Sequence, residues 1–218
     1  MSFPPPSLNK HFLHEWGGVM QPLDFSFEMF PPKTDAGLNS FLAAYRAFAA
    51  VNPTTISLTF GAGGSGRSRS LDALEALSRS NRDAKNPISI TAHLTCVGFD
   101  QTEALDMAHR LVQLGADRLL VLGGDPIDEG STSAAHYAKT PIRYAADLID
   151  QIVNPTDKPK LKIGIGCAAF PEGRPNGETA ELDLAILKSK CDAGASFAWT
   201  QFFFDDEAFL RYLSLIHI

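Results

Sequence analysis

Two periods alternate along most of this chain, one of two residues and one of about 3.6, and their order is the first clue to its architecture. From Asp24 to Lys33, Phe25, Phe27 and Met29 alternate with Ser26, Glu28 and Phe30, which predicts a strand. Pro31-Pro32 ends it, because neither residue can donate to a ladder. Before it, Leu8 to Val19 predicts a short helix with Phe12, Leu13 and Trp16 on one side. After it, Thr34 or Asp35 caps a helix running to about Val51. Five more strands are predicted at Thr54–Phe60, Ile88–Thr95, Arg118–Leu122, Lys162–Phe170 and Phe197–Phe204. Between and after them come helices at Ser68–Arg82, Thr102–Leu114 (closed by Gly115), Pro141–Val153, Ala180–Ala193 (closed by Gly194) and from Asp205 or Asp206 onward. A polar loop, Ile127 to Thr140, precedes the helix at Pro141.

Strands alternating with helices imply βα units and a parallel sheet. Functional groups then belong at the carboxyl ends of the strands, in an open sheet or in a (β/α)8 barrel. Those ends carry Glu28, Thr59, His93 with Thr95, Asp125, Phe170-Pro-Glu172 and Thr200-Gln201. An open sheet concentrates its site at one crevice, whereas polar groups at every strand end fit a ring of loops. The pattern favours an α/β fold of the (β/α)8 TIM barrel type.

Composition narrows the class further. The chain has 218 residues, 44% hydrophobic and 20% charged, and no Gly/Ser- or Pro-rich linker divides its middle. A net charge of −6 gives no electrostatic case for nucleic acid or for an anionic membrane. No run of about 18 apolar residues is present, and the start with Pro4-Pro5-Pro6 lacks the features of a secretion signal. Cys96, Cys167 and Cys191 lack C-x-x-C spacing and read as buried, reduced thiols of a cytoplasmic protein.

Each polar candidate has a bland reading beside a chemical one. Glu28 is a rim carboxylate or an acid at the end of a mostly apolar strand. Gly61-x-Gly63-x-x-Gly66 sits between strand and helix like a dinucleotide fingerprint, but Asp83 precedes the next strand, where the ribose partner should follow it. The glycines better suit close backbone approach to a flat ligand or its phosphates, with Ser65, Arg67 and Ser68 as donors. His93 is a base or a satisfied core histidine; no second ligand stands at metal spacing. Asp125 between Gly124 and Pro126 is a turn residue or a site carboxylate. Gln201 lies in a run too apolar for a surface strand, so its amide is expected to find a partner inside, either a ligand edge or a backbone carbonyl.

Several segments together closely resemble the methylenetetrahydrofolate reductase family. They are Phe25-Ser-Phe-Glu-Met-Phe-Pro-Pro-Lys33, Ser57-Leu-Thr-Phe-Gly-Ala-Gly63, Ala92-His-Leu-Thr-Cys96, Gly124-Asp-Pro126, Ala168-Ala-Phe-Pro-Glu172, Leu187-Lys-Ser-Lys-Cys-Asp-Ala-Gly-Ala195 and Thr200-Gln-Phe-Phe-Phe-Asp205. They run in the family's order from residue 24 to 212. The resemblance implies a barrel holding non-covalent FAD at the carboxyl ends of its strands. It also implies NADH or NADPH as reductant and methylenetetrahydrofolate as substrate, in a ping-pong reaction. By position, Glu28 is then the general acid, Asp125 lies near the flavin and the folate, and Gln201 recognises the pterin. Thr59, His93, Ala168, Asp183 and Lys190 match flavin-contacting positions. Phe170 stands where many members have Tyr, Arg174 where some have His and Gly123 where some have Arg, so Arg67 or Arg174 is the candidate to neutralise the cofactor's diphosphate.

Six strands do not close an eight-stranded barrel. At roughly 30 residues per βα unit, two units are expected beyond this single catalytic domain of residues 1–218. Leu213–Ile218 departs from the family's polar helix and reads as foreign to the parent frame. A homo-oligomer is the expectation for the full-length parent. The competing readings are an incomplete barrel that at most binds flavin, and a Rossmann-type dehydrogenase for which only the glycine spacing speaks.

Overall fold

The computed structural model describes residues 13–16, 19–22, 24–60, 64–96, 99–123, 145–173 and 180–216; side chains of residues 13–22, 64, 65 and 180 are not among them. The chain opens with a correction. β1 (Leu13–Trp16) and β2 (Val19–Pro22) pair antiparallel, with Trp16 opposite Val19, where a helix was expected. The physical reason is in the sequence: Gly17-Gly18 separates the two runs, and a Gly-Gly pair favours a two-residue hairpin while disfavouring a helix.

β3 (Ser26–Met29) begins a six-stranded sheet. It continues through β4 (Thr55–Leu58), β5 (Ser89–Thr95), β6 (Arg118–Leu122), β7 (Gly164–Ala169) and β8 (Phe197–Thr200). Every neighbouring pair is parallel and the spatial order is the order of sequence. A doubly wound dinucleotide fold reverses its strand order at the middle. This sheet does not, which removes the Rossmann reading. The helices are α1 (Leu38–Ala49, after a 3-10 turn at Asp35–Gly37), α2 (Gly64–Arg82), α3 (Gln101–Gln113), α4 (Ala145–Val153), α5 (Ala180–Asp192) and α6 (Asp206–Ile216). Curled parallel strands alternating with helices make this an α/β fold built from six consecutive units of the (β/α)8 barrel kind. Among the described residues β3 and β8 each pair on one side only.

The two faces of each strand divide the labour. Ile56, Leu58, Ile90, Ala92, Leu94, Leu119, Val121, Ile165, Cys167 and Ala169 face the helices and join Leu74, Leu77, Leu111, Leu148 and Ile149 in the main core. Ile56, Leu94 and Leu119 have no exposed surface; truncating any one to Ala would cost about 2–5 kcal/mol. The alternate positions look inward and hold the polar residues.

Local signals set most boundaries. Asp100 caps α3, its carboxylate accepting from the Glu103 amide while Glu103 answers to the Asp100 amide. Gly115 ends that helix at φ +107, and a Cβ there would lie 2.0 Å from Ser78 Oγ. The Asp205 carboxylate accepts from Ala208 at the start of α6. Thr34, by contrast, makes no side-chain cap.

Two further expectations are corrected. β8 stops at Thr200 rather than Phe204. Gln201 N–H makes the ladder's last bond to Ala169 O at 2.8 Å, and Phe203 then turns to stack on Phe209 of α6. Phe202 and Phe204 are 85% and 91% exposed, so this apolar run is surface loop, not buried strand. Of the cysteines, Cys96 and Cys167 are buried but Cys191 is exposed, because its position on α5 faces away from the sheet.

Candidate active site

Register places the inward-facing side chains in layers. Glu28 is level with Ser57, Thr91, Arg118 and Gly164. One layer toward the carboxyl ends, His93 is level with Leu120, Gly166 and Phe197. Thr59, one residue past the Leu58–Ala92 pair, stands beside it. The last layer holds Thr95 with Leu122, and Ala168 with Trp199. The inner wall is thus polar on β3, β4 and β5, and apolar or minimal on β6 and β7 above Arg118.

The minimal side has a steric cause. The Phe197 ring lies flat against β7, so a Cβ on Gly166 would sit 2.2 Å from a ring carbon. Arg118 reaches over the same ring from below, its guanidinium carbon 5.8 Å from the centroid.

The polar side separates into satisfied and unsatisfied groups. In the deepest layer Thr55 Oγ1 donates to Ser89 O at 2.8 Å and lies 3.3 Å from Thr91 Oγ1. Higher up, His93 and Thr95 are each only 8% exposed, yet among the described residues His93 Nε2 and Thr95 Oγ1 have no hydrogen-bond partner. Buried polar atoms are nearly always paired, and an orphan costs roughly 1–3 kcal/mol. Two of them, at successive inward positions of one strand's carboxyl end, mark a place built to meet polar groups of something else. Burial lowers the His93 pKa to about 4, so the imidazole is neutral near pH 7 with one donor and one acceptor nitrogen. Glu28 is exposed on the rim of β3, where partial desolvation raises its carboxyl above the usual range.

The end of β7 is held from behind. Lys190 Nζ donates to Ala168 O at 2.8 Å, and Asp183 Oδ2 accepts from Phe170 N–H at 2.9 Å. Tyr212 of α6 donates its hydroxyl to the same Asp183 oxygen at 2.6 Å. Asp183 is 0% and Lys190 4% exposed. These two buried charges therefore grip the backbone on either side of Ala169. Spaced seven apart, they share one face of α5.

The remaining candidates are dispersed. Thr59 is half-buried, its amide bonded to Met29 O. Ala168 and Phe170 are half-buried at the end of β7. Gln201 is exposed, and its Oε1 accepts from its own neighbour, the Phe202 amide, at 3.1 Å; the interior partner expected for it is not there. Arg67 lies in the first turn of α2 with its guanidinium 3.8 Å from the Phe99 ring centroid. Asp125, Arg174, Gly61 to Gly63 and the loop over Ile127–Thr140 lie outside the described residues. Sequence reasoning missed Tyr212 and Phe197. A helical Tyr two turns from any motif gives no signal; for Phe197 the signal that could have been used is the small Gly164-x-Gly166 pair on the neighbouring strand.

Comparison with known proteins places the chain in a family. The family model described as methylenetetrahydrofolate reductase matches residues 20–217. The chain is 31% identical over 194 residues to the 5,10-methylenetetrahydrofolate reductase of Salmonella typhimurium, covering 89% of this chain and 60% of that protein. It is 30% identical over 190 residues to the enzyme of the same name from Pectobacterium carotovorum (87% and 58%). A probable methylenetetrahydrofolate reductase (NADH) from Oryza sativa is 32% identical over 201 residues, 87% of this chain and 32% of the rice protein. The chain therefore spans about 60% of the length of its bacterial relatives. Among solved structures, a putative phosphonomutase from Burkholderia cenocepacia superposes with a TM-score of 0.57 at 16% identity, over 88% of this chain and 74% of that one. A putative dihydrodipicolinate synthetase from Pseudomonas aeruginosa does so at 0.57 and 11%, over 91% and 63%. At those identities the likeness speaks for the fold alone. With the ordered motifs, the layered inner wall and a family match across nearly the whole described sheet in agreement, the chain belongs to the methylenetetrahydrofolate reductase family.

Proposed function

We propose that this chain forms the catalytic framework of a reductase that converts 5,10-methylenetetrahydrofolate to 5-methyltetrahydrofolate at the expense of NADH or NADPH. FAD, held without a covalent link, would carry hydride from the nicotinamide to the folate in two alternating half-reactions. The residues fit such a group. A flat heteroaromatic ring needs a wall without protruding side chains and an edge of hydrogen-bonding atoms. Leu122, Ala168 and the Gly166–Phe197 surface supply the first; Thr59, His93 and Thr95 supply the second. Asp183 and Lys190 would shape the cofactor's seat through the end of β7, beside Phe170, with Arg174 as the candidate for the diphosphate.

The folate must open its five-membered ring before it can accept hydride, which requires a proton at N10. Glu28, with its raised pKa, is the donor suited to that step. The cation that ring opening leaves on the folate would be stabilised by the Asp125 carboxylate, and Gln201 would hold the pterin through its amide. A cytoplasmic, homo-oligomeric enzyme is the corresponding setting; no described helix is long and apolar enough to cross a membrane.

The observation that carries this reading is the pair of orphaned buried atoms, His93 Nε2 and Thr95 Oγ1. Titrating the purified protein with FAD, followed by flavin fluorescence and visible absorbance, tests it. His93→Leu and Thr95→Val should each weaken binding by about 5- to 30-fold, the worth of one buried hydrogen bond. A protein that takes up no FAD, or variants that bind it as tightly as the parent, would overturn the assignment.

A further inference from the structure

Glu172 has no part in the chemistry above, yet it joins the two loops on which that chemistry depends. It lies in the turn after β7, which Gly173 closes by donating its amide to Phe170 O at 3.0 Å. Its Oε1 accepts from two successive backbone amides of the loop after β8, Phe204 N–H and Asp205 N–H, each at 2.7 Å. Those amides lie just before α6, so the carboxylate also faces the positive end of a helix. Three residues upstream is Gln201, tied to the sheet, among the described residues, by its own amide on Ala169 O. The segment 201–204 has two exposed phenylalanines and just one ring, Phe203, packed on α6. Between the last ladder bond and the cap of α6, the Glu172 carboxylate is the polar anchor that holds this segment.

We propose that Glu172 is a positioning residue for folate binding: it fixes the loop bearing Gln201 against the turn bearing Phe170, so that the substrate side of the site is set relative to the cofactor side. The inference rests on the proposed role of Gln201. Neither charge nor hydrogen bond from Glu172 needs to reach either ligand; its effect passes through the backbone of residues 201–205.

The test is a double-mutant cycle read by titrating the FAD-loaded protein with 5-methyltetrahydrofolate and following the flavin absorbance. Glu172→Ala should weaken binding of the folate about tenfold, the scale of a charge-assisted hydrogen bond at a partly exposed site. Glu172→Gln keeps an acceptor oxygen and should recover most of that loss. In a Gln201→Ala background, Glu172→Ala should add no further weakening, because the residue it positions is gone. The dissociation constant for FAD should be the same in Glu172→Ala and the parent. Additive losses in the double variant, or FAD affinity falling in step with folate affinity, would overturn this inference and leave the reading of the site intact. An unsubstituted protein that binds no FAD or no folate, or a Gln201→Ala variant as tight as the parent, would overturn both.

Discussion

The neutrality of His93 makes stability depend on pH in a direction and size that can be worked out beforehand. Its pKa is lowered by burial from the ordinary 6.5 to about 4. Unfolding returns the ring to water and to 6.5, so between pH 6.5 and 4 the unfolded chain binds the proton and the folded chain does not. Stability from this group is therefore intact above 6.5 and lost as the pH falls. At pH 5 the unfolded imidazole is 1.5 units below its pKa and nearly all charged, which removes about 2 kcal/mol at about 1.4 kcal/mol per unit. Below pH 4 the loss levels off near 3 kcal/mol. Glu28, whose carboxyl pKa is raised by desolvation, works in the opposite sense. The measurement is therefore a difference: urea unfolding of the parent and of His93→Gln at pH 7.5, 6.5, 5.5 and 5. Subtraction cancels what the two proteins share. The parent should lose about 2 kcal/mol more than the variant between pH 7.5 and 5. A difference that stays flat across that interval would mean that His93 is solvated or paired, and the orphaned-atom argument for the site would go with it.

Three further outcomes follow from other parts of the molecule. Glu28→Gln should leave reduction of the flavin by NAD(P)H near the parent rate while slowing its reoxidation by methylenetetrahydrofolate about 10²- to 10⁴-fold in stopped-flow absorbance; equal rates of reoxidation would reduce Glu28 to a rim carboxylate. Gly166→Ala places a Cβ where the Phe197 ring lies and should cost about 1–3 kcal/mol in urea unfolding, so an unchanged midpoint would show that the ring is free to move. Of three free thiols, only exposed Cys191 should react quickly with an aromatic disulfide at pH 8. Burial raises Cys96 to about 12 and Cys167 to about 11, and two fast thiols would contradict the packing of β7 on α5.

What was legible in the sequence was whatever has a period or a local signature. Alternation in Ser89–Thr95 and the short apolar run of Arg118–Leu122 gave strands within a residue of where they lie, and Gly115 and Gly194 marked helix ends at positive φ. The failures came where one pattern mimics another. Leu13 and Trp16 are three apart, which suits a helix, but Gly17-Gly18 outweighs them. Phe202 to Phe204 has a strand's composition without alternation, and its middle ring is claimed by Phe209 while its neighbours face water. Asp183 and Lys190 were legible only through the family resemblance, as positions matched to flavin contacts. Nothing in periodicity could show that they would bond Phe170 N–H and Ala168 O, because which backbone groups a strand leaves unpaired depends on where its neighbour diverges.

The charges of the site are distributed in a way that suits the proposed proton transfer. Asp183 and Lys190, the two buried charged side chains among the described residues, sit behind the end of β7 and spend their hydrogen bonds on its backbone. On the inner face Glu28 and His93 are both shifted toward their uncharged forms by desolvation, while Arg118, level with Glu28, is turned to the Phe197 ring. A cationic imidazole on the same wall would favour the ionised carboxylate and strip Glu28 of the proton it is proposed to donate. A neutral imidazole leaves that proton in place and still offers a hydrogen bond to a ring edge. Burial of His93 would then serve the proposed acid as well as the proposed cofactor, and a variant that restores positive charge at position 93, such as His93→Lys, should slow the folate half-reaction even where flavin remains bound.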